Sequence, residues 1–247
     1  MSFILPAWLK DQPVAHRGYH SREGGGPPEN SRAAFEAAIK RGYAIELDVR
    51  LSADGQVMVF HDSTFDRLIG REGDAHLHTA AEMGAMTILG SAETIPTLKD
   101  VLALVGGRVP LLIELKGLGP EHVGPLEAAV LNLLRDYDGA VAVQSFNPYS
   151  MGWFAAHAPE IPRGQISESF IGEKVDWYRA YLLRNLLLNS VSQPHFIAYD
   201  VRSLDHWAPQ QARAAGLPLL TWTVQDDAQL ARARALADNI IFEDFAA

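Results

Sequence analysis

The chain has 247 residues, 48% of them hydrophobic, which is enough for a sizeable core and a normal length for a single α/β barrel. Asp and Glu number 30 against 21 Lys and Arg, a formal charge of -9. That balance argues against nucleic acid as the main partner, because a phosphate backbone demands a basic face. There is no cysteine, so disulfides, thiolate catalysis and thiolate zinc sites are excluded.

The first residues hold two short apolar runs, Phe3-Ile4-Leu5 and Ala7-Trp8-Leu9, broken by Pro6. They lack the basic start and the length of a signal peptide core. No run approaches the roughly 18 apolar residues of a membrane span. The expectation is a soluble cytoplasmic protein without a transmembrane segment, with a homo-oligomer left open.

Val14-Ala15 reads as the end of a first strand, with His16-Arg17-Gly18 on the loop behind it. A helix follows to Arg41, with Asn30 as its cap and Gly42 as its stop. Ala44–Val49 is a strand, Asp54-Gly55 a turn, and Val57–Phe60 a strand that ends at His61. Residues 63–95 show no clear period and read as an insertion. Pro96-Thr97 opens a helix to about Leu104, and Leu111–Leu115 is a strand. A helix at 121–137, a strand at 140–146 and a helix at 148–157 come next. A short strand at 163–167, a strand at 196–200 and a helix at 204–215 follow. The chain closes with a strand at 217–224, a helix at 226–235 and a strand at 239–242. Such alternation implies parallel strands with right-handed crossovers. About eight strands favour a TIM (β/α)8 barrel in one domain, 1–247, over an open doubly wound sheet. Gly24-Gly25-Gly26 has no strand feeding it and is not a dinucleotide loop.

Charge gathers at the strand ends. Residues i and i+2 of a strand share a face, so Glu46 pairs with Asp48 and Glu114 with Lys116. Burying such charge is unfavourable unless it is compensated, and a divalent cation with an anionic substrate would compensate it. Three carboxylates suit a hard cation, Mg²⁺ or Ca²⁺. Arg17 and Lys116 supply positive charge for a phosphate. His16 and His61, on separate strands, can serve as general acid and base. Gln144, Glu168 and Trp222 end later strands and are further candidates for the pocket, a core tryptophan being the alternative for Trp222. A buried ion pair of Glu46 and Asp48 with Arg50 or Arg17 is the bland alternative to a metal site. Glu29 reads either as a metal-shell residue or as an acid at a helix start. Asp62 reads either as a partner for a His61 ring nitrogen or as a turn cap. His76 and His78 read as insertion surface, and His20, His122, His157 and His206 as surface residues.

The ordered set His16-Arg17-Gly18, Pro28-Glu29-Asn30-Ser31, Glu46-Leu47-Asp48, His61-Asp62, Ile95-Pro96-Thr97-Leu98, Glu114-Leu115-Lys116, Gln144-Ser145-Phe146 and Trp222-Thr223-Val224 resembles the glycerophosphodiester phosphodiesterase family over nearly the whole chain. The resemblance implies a TIM barrel with a small insertion after the second strand region, matching 63–95. It implies a divalent metal at Glu46, Asp48 and Glu114, an acid–base pair at His16 and His61, and phosphate binding at Arg17 and Lys116. The implied reaction cleaves a small glycerophosphodiester to glycerol 3-phosphate and an alcohol, with attack by a glycerol hydroxyl or by water. Two places depart from the family pattern. The last strand runs into Glu243-Asp244-Phe245 without the usual Thr-Asp-Tyr-Pro, and Gln225 stands where many members carry Asn.

Residues 170–188 are strongly apolar. Trp177, Tyr181, Leu182 and Leu186 share a helical face, read first as packed on the barrel and second as a lid. The lid keeps open a lysophospholipase D acting on lysolipids with the same site. A non-catalytic polyol-phosphate-binding barrel is the alternative from another class.

Overall fold

The computed structural model describes residues 5–21 and 25–247. Phe3 and Ile4 of the first apolar run, and Gly24 of the glycine run, lie outside the described residues. In chain order the elements begin with α1 (Trp8–Asp11), β1 (Val14–Ala15), α2 (Arg32–Arg41), β2 (Ala44–Leu51) and β3 (Val57–Val59). Then come α3 (Asp66–Ile69), α4 (Ala80–Gly84), α5 (Leu98–Val105), β4 (Leu111–Leu115) and α6 (Pro125–Leu134). The second half holds β5 (Val141–Ser145), α7 (Pro148–His157), β6 (Arg163–Ser167), α8 (Trp177–Arg184), α9 (Asn189–Ser192) and β7 (Phe196–Asp200). It closes with α10 (Trp207–Ala214), β8 (Leu219–Val224), α11 (Asp227–Leu236) and β9 (Asn239–Phe242). The chain divides into two compact units, one spanning Ala15–Val141, the other formed by Ala142–Ala247 with the described residues up to Val14.

In the Ala15–Val141 unit, β2 is central. It runs antiparallel to β3, with Val49 opposite Val59, and parallel to β4, with Asp48 opposite Glu114. The β2–β3 turn closes at Gly55, whose φ of 77° favours glycine. Ser31 caps α2, its side chain accepting from the Ala34 amide, and Gly42 ends it at φ 71°. The cap expected at Asn30 therefore falls one residue later, because the Asn30 side chain is used elsewhere. Thr97 caps α5 in the same way.

Residues 63–95 are more ordered than their lack of period suggests. Two short helices and two 3₁₀ turns wrap a cluster of Met58, Phe60, Phe65, Leu68, Met83, Met86, Ile88 and Ile95, all buried. Met58 and Phe60 come from β3 and its end, so the insertion is packed onto the strand that precedes His61.

In the other unit the strands lie in the order β5, β6, β7, β8, β9, all parallel. Gly164 in β6 is demanded by packing, since a Cβ there would come within 2.1 Å of the Phe196 ring. The Asn239 side chain at the start of β9 ties down α1 through the carbonyls of Leu9 and Gln12, at 3.1 and 2.8 Å. The α8 helix departs from expectation. It has no buried residue; Trp177 is 82% and Tyr181 51% exposed, and of the predicted packing face only Leu186, just beyond the helix, is buried.

Among the described residues no helix is long and apolar enough to cross a membrane.

Candidate active site

His16, Arg17, Glu46, Asp48, His61, Glu114 and Lys116 all belong to the Ala15–Val141 unit. His16 and Arg17 follow β1, His61 follows β3, and Glu114 and Lys116 flank the end of β4, whereas Glu46 and Asp48, expected at a strand end, lie inside β2, which runs on to Leu51. The loop after β1 reverses sharply. Arg17 has a φ of 53° and Gly18 of 79°, and a Cβ on Gly18 would lie 2.9 Å from Ala34, so Gly18 is required by both backbone conformation and space. The Arg17 amide donates to Glu46 Oε2 at 3.0 Å, and its carbonyl accepts from the Asn30 amide at 2.9 Å. The unusual loop is thus fixed by its contact with β2. His16 Nε2 stands 4.0 Å from the same Glu46 oxygen.

Adjacent β2 and β4 place three carboxylates together. Oxygens of Glu46, Asp48 and Glu114 lie within 4.8 Å of one another, and all three residues are buried. Cations surround them. Arg17 Nε is 3.3 Å from Asp48 Oδ2, and Lys116 Nζ is 3.3 Å from Asp48 Oδ1 and in contact with Glu114 Oε1. Asn30 Nδ2 donates to Asp48 Oδ2 at 2.8 Å, the contact that removes this side chain from the helix cap.

The three carboxyls differ. Burial raises Glu46 well above the usual carboxylate range, and the charges of Asp48 and Glu114 push it further. Burial also raises Glu114, against the pull of Lys116. Burial would raise Asp48 too, but Lys116, His61 and Arg17 outweigh it and hold this carboxyl far below the usual range. Two buried acids are therefore under-compensated by the protein alone. Glu46 Oε1 is buried without a hydrogen-bond partner. An all-oxygen set of this kind fits a hard divalent cation.

The His61 ring is held from behind. Its Nδ1 lies 2.6 Å from Asp62 Oδ1, the ring-partner reading of Asp62. Of the two arginines named for the ion-pair alternative, Arg17 does pair with Asp48, whereas Arg50 donates to the carbonyls of His61 and Lys116, at 2.8 and 3.3 Å. It thereby ties together the chain ends beyond β3 and β4. Glu29, read as a metal-shell residue or a helix-start acid, is held by two arginines. Its Oε1 accepts from Arg17 at 2.7 Å, and both oxygens accept from Arg67, at 2.6 and 2.8 Å. Sequence reasoning misses Arg67, the carbonyl contacts of Arg50 and the second role of Asn30. The signal for Asn30 is its place beside Ser31, where two cap residues compete for one cap.

Glu168 and Trp222 stand at strand ends in the other unit. Trp222 is half-buried with its ring edge-on to Phe146 at 5.5 Å, and Phe146 meets Phe170 at 6.3 Å. Trp222 is therefore not a core tryptophan. Glu168 is half-buried, and its carbonyl accepts from Tyr199 at 3.3 Å. Gln144 is buried. The two departures from the family pattern meet each other, Gln225 Nε2 donating to Glu243 Oε1 at 2.6 Å. His20 is only 7% exposed, against the surface reading. His78 does belong to the insertion surface, its Nδ1 3.0 Å from the Asp74 carbonyl oxygen.

Comparison with known proteins places this geometry. Residues 16–247 match the glycerophosphoryl diester phosphodiesterase family. A glycerophosphodiester phosphodiesterase of Caldanaerobacter subterraneus is 30% identical over 96% of this chain and 95% of its own length. The YhdW protein of Bacillus subtilis is 32% identical over 94% and 93%. Among solved structures, an Oleispira antarctica phosphodiesterase in complex with the product sn-glycerol-3-phosphate is 25% identical with a TM-score of 0.77, covering 96% of this chain and 94% of that one. A glycerophosphodiester phosphodiesterase from Agrobacterium tumefaciens is 26% identical with a TM-score of 0.70, covering 94% and 96%. The chain belongs to the glycerophosphoryl diester phosphodiesterase family and is an enzyme of the phosphoric diester hydrolase class on a TIM (β/α)8 fold.

Proposed function

We propose that the chain is a single cytoplasmic phosphodiesterase domain that hydrolyses glycerophosphodiesters to glycerol 3-phosphate and an alcohol, with one Mg²⁺ or Ca²⁺ ion and two acid–base histidines. The observation that carries the reading is the buried triplet of Glu46, Asp48 and Glu114 ringed by Arg17 and Lys116. A product complex of the Oleispira relative with sn-glycerol-3-phosphate supports the same product here.

Glu46, Asp48 and Glu114 would hold the cation, which when bound supplies Lewis-acid polarisation of a phosphate oxygen and lowers the pKa of a coordinated hydroxyl. Arg17 and Lys116 bind the phosphate and stabilise the charge that grows on it. Arg17 is suited to this because it stays protonated and is fixed by Glu29 and Asp48. His16 and His61 exchange protons with the nucleophile and the leaving alcohol. With Nδ1 facing Asp62, Nε2 is the His61 atom that gives or takes the proton. The nucleophile is the neighbouring glycerol hydroxyl, giving a cyclic phosphate, or water.

Turnover of glycerophosphocholine with added Mg²⁺ or Ca²⁺, followed as release of glycerol 3-phosphate, is the test. Tight binding of glycerol 3-phosphate with no turnover of any glycerophosphodiester would favour the polyol-phosphate binder instead.

Exposure of the α8 face supports a second reading, a lysophospholipase D acting on lysolipids. Trp177, Tyr178 and Tyr181 present aromatic surface to solvent, and Ile171 before them is 83% exposed. Because Tyr181 is exposed and Leu182 only half-buried, the double substitution Tyr181→Ser with Leu182→Ser is expected to leave the melting temperature near native. On this reading it lowers kcat/KM for lysophosphatidylcholine by up to about 1.5–3 kcal/mol per lost apolar side chain, and leaves glycerophosphocholine nearly unchanged. An unchanged ratio of the two substrates removes the lysolipid reading.

A further inference from the structure

Arg67 sits in α3 of the insertion, five residues beyond Asp62 and outside the carboxylate triplet. Its guanidinium is shared between two acids that each hold one part of the site. Towards Asp62 it donates from Nε to Oδ2 at 2.8 Å and from Nη2 to Oδ1 at 2.9 Å. Towards Glu29 it donates from Nη1 to Oε2 at 2.6 Å and from Nη2 to Oε1 at 2.8 Å. Asp62 in turn faces His61 Nδ1 at 2.6 Å, and Glu29 accepts from Arg17 Nη1 at 2.7 Å. One planar fork therefore joins His61, through Asp62, to Arg17, through Glu29. We propose that Arg67 is a positioning residue that sets the relative placement of the proton-transfer histidine and the phosphate-binding arginine, and so links the order of the insertion to the chemistry.

The arrangement has features that a plain surface ion pair lacks. Exposed pairs contribute little, but here the guanidinium, about half exposed, closes over a glutamate whose side chain is only 9% exposed. Both contacts are two-bonded, a geometry that an arginine provides and a lysine does not. Burial would raise the Glu29 carboxyl, and the hydrogen bonds and charges of Arg67 and Arg17 pull it below its ordinary range. Asp62 behaves likewise, partial burial being overcome by His61 and Arg67. Both acids are thus kept ionised and able to accept. Without Arg67, Glu29 keeps its contact with Arg17 and Asp62 its contact with His61, but nothing in these bonds fixes one pair relative to the other. Small misplacements of this kind weaken the transition state more than the ground state.

This inference rests on the proposed phosphodiesterase reading, and its test separates the two. Wild type, Arg67→Ala and Arg67→Lys are compared for glycerophosphocholine turnover, for melting temperature and for the ring-nitrogen NMR spectrum of His61. Arg67→Ala should lose about 10–100-fold in kcat, the usual cost of removing an orienting partner, with a smaller rise in KM. Arg67→Lys should remain low, and millimolar guanidinium should restore part of the activity of Arg67→Ala. The His61 ring should show one tautomer, protonated at Nδ1, in wild type and a mixture in both variants. A kcat close to wild type in Arg67→Ala, full activity in Arg67→Lys, or an unchanged His61 spectrum in a folded variant would overturn the role. Wild type without turnover would sink the phosphodiesterase reading alone, and the spectrum would still decide whether Arg67 holds the ring.

Discussion

Alanine in place of His16 or His61 is expected to lower kcat by roughly 10²–10⁴-fold, the usual contribution of a positioned acid or base. Neither replacement should unfold the protein, because both side chains lie at loop and strand ends and not in the apolar core; His16 is 12% and His61 29% exposed. The two variants need not be equal. The histidine that protonates the leaving alcohol matters most when that alcohol is a poor leaving group. With an aryl diester, whose phenolate leaves unaided, the loss from removing this histidine should shrink, while the loss from removing the other should persist. Comparing glycerophosphocholine with an aryl glycerophosphodiester therefore assigns acid and base separately. If either variant keeps near-native kcat on glycerophosphocholine, that histidine has no proton-transfer role.

Exhaustive chelation is expected to abolish turnover, and Mg²⁺ or Ca²⁺ to restore it. The cause is electrostatic. Glu46 and Glu114 are raised by burial, and Asp48 adds repulsion to both. Lys116, His61 and Arg17 hold Asp48 ionised, whereas Glu46 and Glu114 stay raised despite their basic neighbours, so these two acids gain most from a cation. A cation that binds only the folded chain also stabilises it, by about 2.7 kcal/mol at a hundredfold excess over Kd. In a chain of this size that is a rise of about 5–10 °C in the melting temperature. Glu46→Gln should reduce both the rise and the activity. Full activity after chelation, with no shift in melting temperature on adding either ion, would remove the metal from the reaction.

Much of the geometry around the triplet is legible in the order of the residues alone. Period-two placement of Glu46 with Asp48 needs only the recognition of a strand, and the apolar residues on either side supply that. Glu114 joins them because β2 and β4 are neighbours, which the alternation of strands and helices suggests but does not fix. What stays hidden depends on side chains reaching across loops. Arg67 follows Asp62 by five residues, a spacing that belongs to no helical or strand face, and nothing local links it to Glu29. Arg50 reads as an ion-pair partner because its charge is legible and its carbonyl acceptors are not. Asn30 and Ser31 are both good caps, and the choice between them is made by Asp48, eighteen residues beyond Asn30. The α8 segment misleads in the opposite sense. Its apolar face satisfies the pattern of a packed helix, yet periodicity reports only which residues share a face, not whether anything covers it.

The cluster of residues 63–95 around Phe60 bears on how this chain can be re-engineered. Surface loops of a barrel are natural places to exchange segments between relatives, because a loop usually carries no core of its own. Here the segment brings a private core, and that core is completed by Met58 and Phe60 from the scaffold. A graft with different apolar side chains would have to fit around those two residues or leave them bare. A misfit would fall one residue from His61. Exchange of this segment is thus bound to the scaffold strand beneath it, and a working chimera would carry 57–97 as one cassette.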